Sequence, residues 1–354
     1  MSRVFILTPA LVHGDASSHF VLQIADALKS LGHQSRILAA NLDPQMRRFG
    51  EASKRLPSDV GSDGRILLVH STTSPWIDAL QPPPAPTVLL YQGLTPPELC
   101  GPMAAHLMGP LRQARHELAA LAPHLRGAIC TSHFVQRELK EITGVDLPGG
   151  LLPLALEKAF EDAPPSIGEG AKEAPRLLVV GRVTPHKRLE DAFAIHGCVQ
   201  RTFNPDTKLD VVGDYTCCPD YTRWLETQPT HIAFPPPHWW GKVSFSELLA
   251  RYRAADVLLF TSTHEGFGVP LLEAMTLGVP VVAVHCEGVA ETLGSAGIVA
   301  RERHVPALAE LVEMVLTDSA LRARLIAAGR ERAREFSREN LKARFEEVWK
   351  TLAA

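Results

Sequence analysis

The chain reads as an α/β protein made of two doubly wound domains. Three observations point there. Short apolar runs suited to buried strands alternate with helix-like segments from end to end. A stretch rich in proline, glycine and charge, residues 161–175, interrupts the alternation, which then restarts. Residues 257–284 spell out strand, tight glycine loop, helix and strand in succession. Length and composition agree, since 354 residues make about two domains and 45% apolar content suffices for two cores.

In the first half, RVFILTP is a strand, and residues 19–31 form an amphipathic helix that Gly32 stops. SRILAA, RILLVH, TVLLYQ and GAICTS follow as short buried strands. Between the last two, residues 103–125 are helical, with a break expected near Gly109-Pro110. RLLVVG opens the second half, and LDVVG, HIAF, DVLLF, PVVAV and GIVA continue the series of strands. Helices over 308–316, 319–335 and 338–352 close it. The organisation expected is a domain over 1–160, a linker over 161–175, a second domain over 176–337 and a terminal helix over 338–354. Two such halves on a linker form a cleft, and ligands of such sheets bind outside the carboxyl ends of the strands.

A net charge of −3 gives no overall basic field, so no nucleic-acid partner is expected and any phosphate site must be local. The arginine- and glutamate-rich stretch 319–350 reads as a salt-bridged solvent face. Six cysteines show no metal-ligand spacing, and the expected state is the free thiol of a cytoplasmic chain. No run has the apolar length of a membrane span, which leaves room for a peripheral contact at the inner face of a membrane.

The stretch FTSTHEGFGVPLLEAMTLGVPVVA, residues 260–283, is the most informative in the chain. Its glycines let a ligand approach the backbone, and Pro270 is expected at the first helical position, where it loses no hydrogen bond. The amides of Gly266, Phe267, Gly268 and Val269 with the positive helix end suit a diphosphate. Glu273, one turn inside, is a poor phosphate ligand but a good acceptor for the two hydroxyls of a ribose. Glu265 stands before the loop, near a transferred sugar. Singly, such glycines pack and such glutamates are solvated; together and in this order they suit a nucleotide sugar. A nicotinamide fingerprint does not fit, because Leu271 occupies the third glycine position. Arg182 and Lys187 follow the strand that ends at Gly181. Cations there would stabilise a leaving diphosphate more as its charge grows, and the chain has no Asp-x-Asp to hold a metal.

These segments resemble the retaining glycosyltransferases of GT-B fold that carry an E-x7-E signature, here Glu265 and Glu273. The group includes glycogen synthases and bacterial polysaccharide mannosyltransferases. GRVTPHKRLED, residues 181–191, is similar to the family's phosphate segment, and HWWGKVSFSELLARYRAADVLLFTS, residues 238–262, to its approach to the signature. In the first half, LLVHSTTSPWIDAL, VLLYQGLTPPEL and AICTSHFVQREL resemble a mannosyltransferase-like branch.

The resemblance implies two Rossmann-like domains facing each other across a cleft, donor in the second and acceptor in the first, with the terminal helix crossing back. It implies transfer of a hexose, mannose slightly favoured, from a GDP- or UDP-linked sugar to a glycan or lipid-linked glycan, with retention, no cofactor and no metal. Backbone groups at Lys242 and Val243 would hold the base. Gly14 lies in the loop where the family has a Gly-Gly pair through which backbone approaches the donor diphosphate, so that match is partial. Gln92 replaces a histidine and cannot take up a proton. His70, ending RILLVH, reads equally as a hydroxyl contact or a structural histidine. Ser132 reads as a contact at the cleft floor or, more simply, as a helix cap. The rival readings are a GT-B epimerase or hydrolase and a non-catalytic sugar-nucleotide binder.

Overall fold

Parallel strands organise both halves of the chain. The structure is a computed structural model and describes residues 2–61, 63–163, 174–232 and 236–353. Two compact units form: one of Met1–Pro97, His106–Ala155 and Phe336–Ala354, the other of Glu98–Ala105 and Leu156–Glu335.

The first unit contains β1 (Arg3–Leu11), α1 (Ala16–Ser30), β2 (Gln34–Leu42), β3 (Glu51–Ala52), β4 (Arg65–His70), β5 (Thr87–Tyr91), α2 (Ala105–Leu121), β6 (Gly127–Cys130), α3 (His133–Thr143) and β7 (Gly149–Leu151). Its strands, all parallel, run β3-β2-β1-β4-β5-β6-β7 across the sheet. Buried on both faces, they are continuous apolar runs, as in RILLVH, not alternating ones. Phe5, Leu7, Leu68, Leu89 and Tyr91 meet Trp76, Leu118 and Leu139 in one core.

The second unit contains α4 (Lys158–Glu161), β8 (Arg176–Val180), α5 (Leu189–Thr202), β9 (Lys208–Val212), α6 (Pro219–Ile232), β10 (His238–Gly241), α7 (Phe245–Ala254), β11 (Val257–Phe260), α8 (Val269–Leu277), β12 (Val281–Val284), α9 (Glu287–Leu293), β13 (Ile298–Ala300), α10 (Val305–Thr317) and α11 (Ser319–Arg334). The strand order is β10-β9-β8-β11-β12-β13. The order reverses between β8 and β11, the place where an open parallel sheet leaves a crevice for a ligand.

α12 (Arg338–Ala353) packs against α1 and β7 of the first unit. Trp349 and Phe345 on it are fully buried, and the Trp349 indole donates to His33 Nε2 at 3.3 Å. Gly150 makes room for it: a Cβ there would come 2.6 Å from Val348.

Several expectations are corrected. The helix of the first half is not broken at Gly109-Pro110. Pro110 lies within α2 on its exposed side, where water can stand in for the missing bond. Of the expected strand HIAF, His231 and Ile232 instead end α6, and Ala233 and Phe234 lie outside the described residues. HWWG is the strand that pairs with β9 at the edge of the sheet. Of the linker, residues 164–173 lie outside the described residues. The second unit takes up the chain from Leu156, ahead of the expected boundary, because Phe160 packs edge-on against Phe245 at 4.9 Å.

Candidate functional site

The candidate site forms at the carboxyl ends of β8 and β11. Beyond β8 the backbone turns through Gly181, whose N–H donates to Val212 at 2.9 Å. Gly213, at the end of β9, is packed so closely that a Cβ would fall 1.9 Å from the Gly181 carbonyl. Arg182 follows on the surface, with no hydrogen bond or ion pair to a described residue. A 3₁₀ turn over Pro185–Lys187 and a left-handed Arg188 (φ 54°) then deliver the chain into α5. Arg188 is held by Glu190 at 2.9 Å and Asp191 at 3.1 Å, which offsets the strain of that backbone.

This turn is bolted to the loop after β11. Thr261 Oγ1 donates to the Lys187 carbonyl at 2.9 Å. The N–H and Oγ1 of Thr263 donate to the His186 carbonyl at 2.8 and 3.0 Å. The Lys187 ammonium consequently reaches the Glu265 carboxylate in an ion pair, with the Phe260 ring 5.6 Å away. Both side chains are largely withdrawn from water, at 17% and 10% exposure, so the pair is screened less than a surface bridge. Burial, then the charges of Lys187, His264 and Arg182, push the His186 imidazole well below its ordinary range, so it stays neutral. Gly181, Arg182, Lys187, Thr261 and Ser262 line one small recess.

The glycine loop leads into α8. Gly268 is left-handed (φ 86°), and Val269 is the first helical residue, so Pro270 is second and not first as expected. The Leu271 amide is used within the turn, donating to Gly268 at 2.9 Å. Thr292 of α9 donates to the Phe267 carbonyl at 2.5 Å, and the Phe267 ring is core. Gly288 of α9 backs the loop so closely that a Cβ would lie 1.9 Å from the Glu265 carbonyl.

Glu273 is buried. It accepts from the Tyr252 hydroxyl at 2.5 Å. Burial raises its pKa to about 7; the Tyr252 bond opposes the rise and the Glu157 charge adds to it. Lys242 is exposed and Val243 half-buried after β10. Asp214, after β9, is held below the ordinary carboxylate range, first by its bonds to Thr216 and further by Lys242 and Arg182.

The first unit places its candidates on strand ends too. Gly14 (φ 71°) precedes Asp15, which caps α1 by accepting from Ser18 N at 2.9 Å. His70 ends β4 buried, its Nε2 3.3 Å from Glu117, the structural alternative left open by the sequence. Gln92 accepts from Ser17 at 2.8 Å. Ser132 caps α3, accepting from Val135 N at 3.1 Å. The structure thus joins Lys187 with Glu265 directly and sets Arg182 beside Lys187, while Glu273 pairs elsewhere, inside the helix packing.

Two residues here were not foreseen. Arg303 donates to Asp191 (2.8 Å), the Thr261 carbonyl (2.6 Å) and the Ser262 carbonyl (2.8 Å), clamping the loop that holds Lys187. It sits in the charge-rich RERH after β13, and no pattern marked it. Tyr252 was visible in LLARYRAAD, three residues before the Ala-Asp that opens β11.

Residues 165–332 match the family model Glycosyl transferases group 1. The glycogen synthase of Mycobacterium tuberculosis (strain CDC 1551 / Oshkosh) is 34% identical over 159 residues, 44% of this chain and 37% of that protein. The chain thus spans little more than a third of that relative. The phosphatidyl-myo-inositol mannosyltransferase of Mycobacterium leprae (strain TN) is 27% identical, covering 97% of this chain and 94% of the relative. Anabaena HepE, solved in complex with UDP-glucose, superposes with a TM-score of 0.77 at 16% identity, over 99% of this chain and 100% of that one. The fold is GT-B, with two Rossmann-like units. The matched residues include Arg182, Lys187, Glu265 and Glu273, and among the described residues no helix is long and apolar enough to cross a membrane.

Proposed function

We propose that the chain is a glycosyltransferase that moves a hexose from a nucleotide diphosphate sugar to a hydroxyl acceptor, such as a glycan or lipid-linked glycan. The observation that carries this reading is the Lys187–Glu265 pair at the reversal of strand order, inside the matched domain. An ammonium has three donors, and one is engaged by Glu265; the others remain for a diphosphate. Arg182 adds a second cation. As the bond from anomeric carbon to phosphate oxygen breaks, charge builds on the diphosphate, and fixed cations stabilise that state more than the ground state. Glu265 faces the sugar, and Glu273 takes the ribose hydroxyls.

Retention, mannose as the sugar and independence of a metal extend the same proposal. In the front-face displacement that retention implies, the new bond forms on the side that the leaving group vacates. The acceptor proton passes to the departing phosphate oxygen. Arg182 and Lys187 supply the charge that a metal provides elsewhere. The first unit, with Gln92 and Ser132 just beyond its strand ends, receives the acceptor, and the Gly14 backbone approaches the donor diphosphate.

A thermal-shift series with UDP-, GDP-, ADP- and dTDP-sugars tests the reading. One nucleotide is expected to raise the melting temperature, since a ligand of the folded state stabilises it by mass action. No shift with any of them, at millimolar concentration, overturns it.

A further inference from the structure

Tyr215 stands two residues beyond Gly213 at the end of β9, and it is 42% exposed. Its ring is nevertheless fixed. Its edge meets the backbone of Gly241, the last residue of β10, where a Cβ would come 3.0 Å from the nearest ring carbon. Trp239 meets it edge-on at 6.2 Å and is itself braced edge-on by Phe193 at 5.7 Å. The backbone is tied on both sides: Thr222 donates to the Tyr215 carbonyl at 2.7 Å, and Asp214 accepts from Thr216 N and Oγ1 at 2.7 Å each. An exposed aromatic ring held this way has little rotamer freedom left to lose on binding.

Its neighbours carry charge. β10, β9 and β8 are consecutive in the sheet, so Lys242, Tyr215 and Arg182 follow the carboxyl ends of three adjacent strands. Both cations are exposed, and both act on Asp214, which lies between them in sequence order along the sheet edge. A rigid ring flanked by two cations fits a ligand that joins a flat, apolar-faced group to an anion. A nucleoside diphosphate has that chemistry. A base has a π-face whatever its edge, so a ring of this kind adds affinity for all bases and leaves the choice among them to other groups.

We propose that Tyr215 is the platform on which the nucleobase of the donor stacks. This rests on the nucleotide-sugar reading above. It assigns a side chain to a subsite that the family resemblance attributes to backbone at Lys242 and Val243, and Gly241 is the matching gap that lets the edge of the ring approach β10.

The test is calorimetric titration of the full chain with UDP, GDP, ADP and dTDP, repeated with inorganic pyrophosphate as a competitor that lacks the base. Tyr215→Phe should bind the preferred nucleotide within about twofold of wild type. Tyr215→Ala and Tyr215→Leu should bind it about 5- to 100-fold more weakly, while pyrophosphate competes as before. Melting temperatures within a few degrees establish that the variants fold. Unchanged nucleotide affinity in Tyr215→Ala overturns the platform and leaves the donor reading standing. Equal loss for nucleotide and pyrophosphate also overturns it, since the ring would then be supporting the phosphate loop. A wild-type chain that binds none of the four nucleotides sinks both.

Discussion

Tyr252 donates its phenolic hydrogen to Glu273 at 2.5 Å, linking α7 to α8 within the second unit. Eight residues earlier, Glu265 meets the Lys187 ammonium instead. Two glutamates of one motif therefore have opposite electrostatics. The first is paired with a cation at the mouth of the recess. The second is buried, and burial pushes its pKa to about 7 against the opposing bond from the neutral Tyr252 hydroxyl.

That burial predicts a pH dependence. In the folded chain Glu273 keeps its proton up to about pH 7, whereas unfolded it loses it near 4.5. A raised folded pKa contributes stability that is full below about 4.5 and is lost as the pH rises through 7. The gap corresponds to roughly 3 kcal/mol at most. Urea unfolding of wild type and Glu273→Gln from pH 5 to 8.5 should show the wild type losing ground to the variant on the alkaline side. Parallel profiles would mean that the carboxyl titrates as in water.

Glu273→Ala should weaken binding of the nucleoside diphosphate and also lower stability. Removing the carboxylate leaves the Tyr252 hydroxyl buried without its acceptor, a loss of about 1–3 kcal/mol. Calorimetry on the folded variant decides the binding role, and unchanged affinity would reduce Glu273 to a packing residue.

Lys187→Ala should lower the turnover number more than it weakens donor binding. A charge-assisted contact of about 2–4 kcal/mol in the transition state corresponds to roughly 30- to 1000-fold in rate. Lys187→Arg restores part of it and Lys187→Gln none. A rise in the Michaelis constant alone would assign Lys187 to uniform binding.

Arg303→Ala removes a clamp with three acceptors and should destabilise the second unit by about 2–4 kcal/mol. Because Thr261 also holds the Lys187 carbonyl, turnover should fall in the variant even at temperatures where it is fully folded. A stability loss with turnover intact would confine Arg303 to a structural role.

Activity should survive excess EDTA, since Arg182 and Lys187 supply the positive charge. Complete loss with EDTA and full rescue by Mg²⁺ or Mn²⁺ would sink the two-cation account.

Much of this was legible in the chain because parallel sheets bury their strands on both faces. RILLVH, TVLLYQ and DVLLF are solid apolar runs that need no partner to be read. HWWG was harder, since an edge strand mixes polar and aromatic residues, and the more apolar HIAF nearby drew the assignment. The glycine loop and Lys187 stood out through local spacing. Tyr252 and Arg303 act across sequence separations of 21 and about 40 residues, and only the packing of α7 on α8 and of the β13 loop on the β11 loop brings them to the site. The burial of Glu273 was hidden for the same reason.

α12 is synthesised after the whole second unit, yet Trp349, Phe345 and Leu352 are interior residues of the first. Emergence from the ribosome cannot therefore complete the first unit until its neighbour has already been made, so the two must mature in overlapping time rather than in turn. The chain moves between units at Pro97, Ala105, Ala155 and Glu335, and no single cut separates them. A protein split at Ala155 would strand α12 on the wrong fragment, and a tag or deletion that disturbs residues 338–353 would be felt at β7, mid-chain, and at α1, near the other end of the sequence.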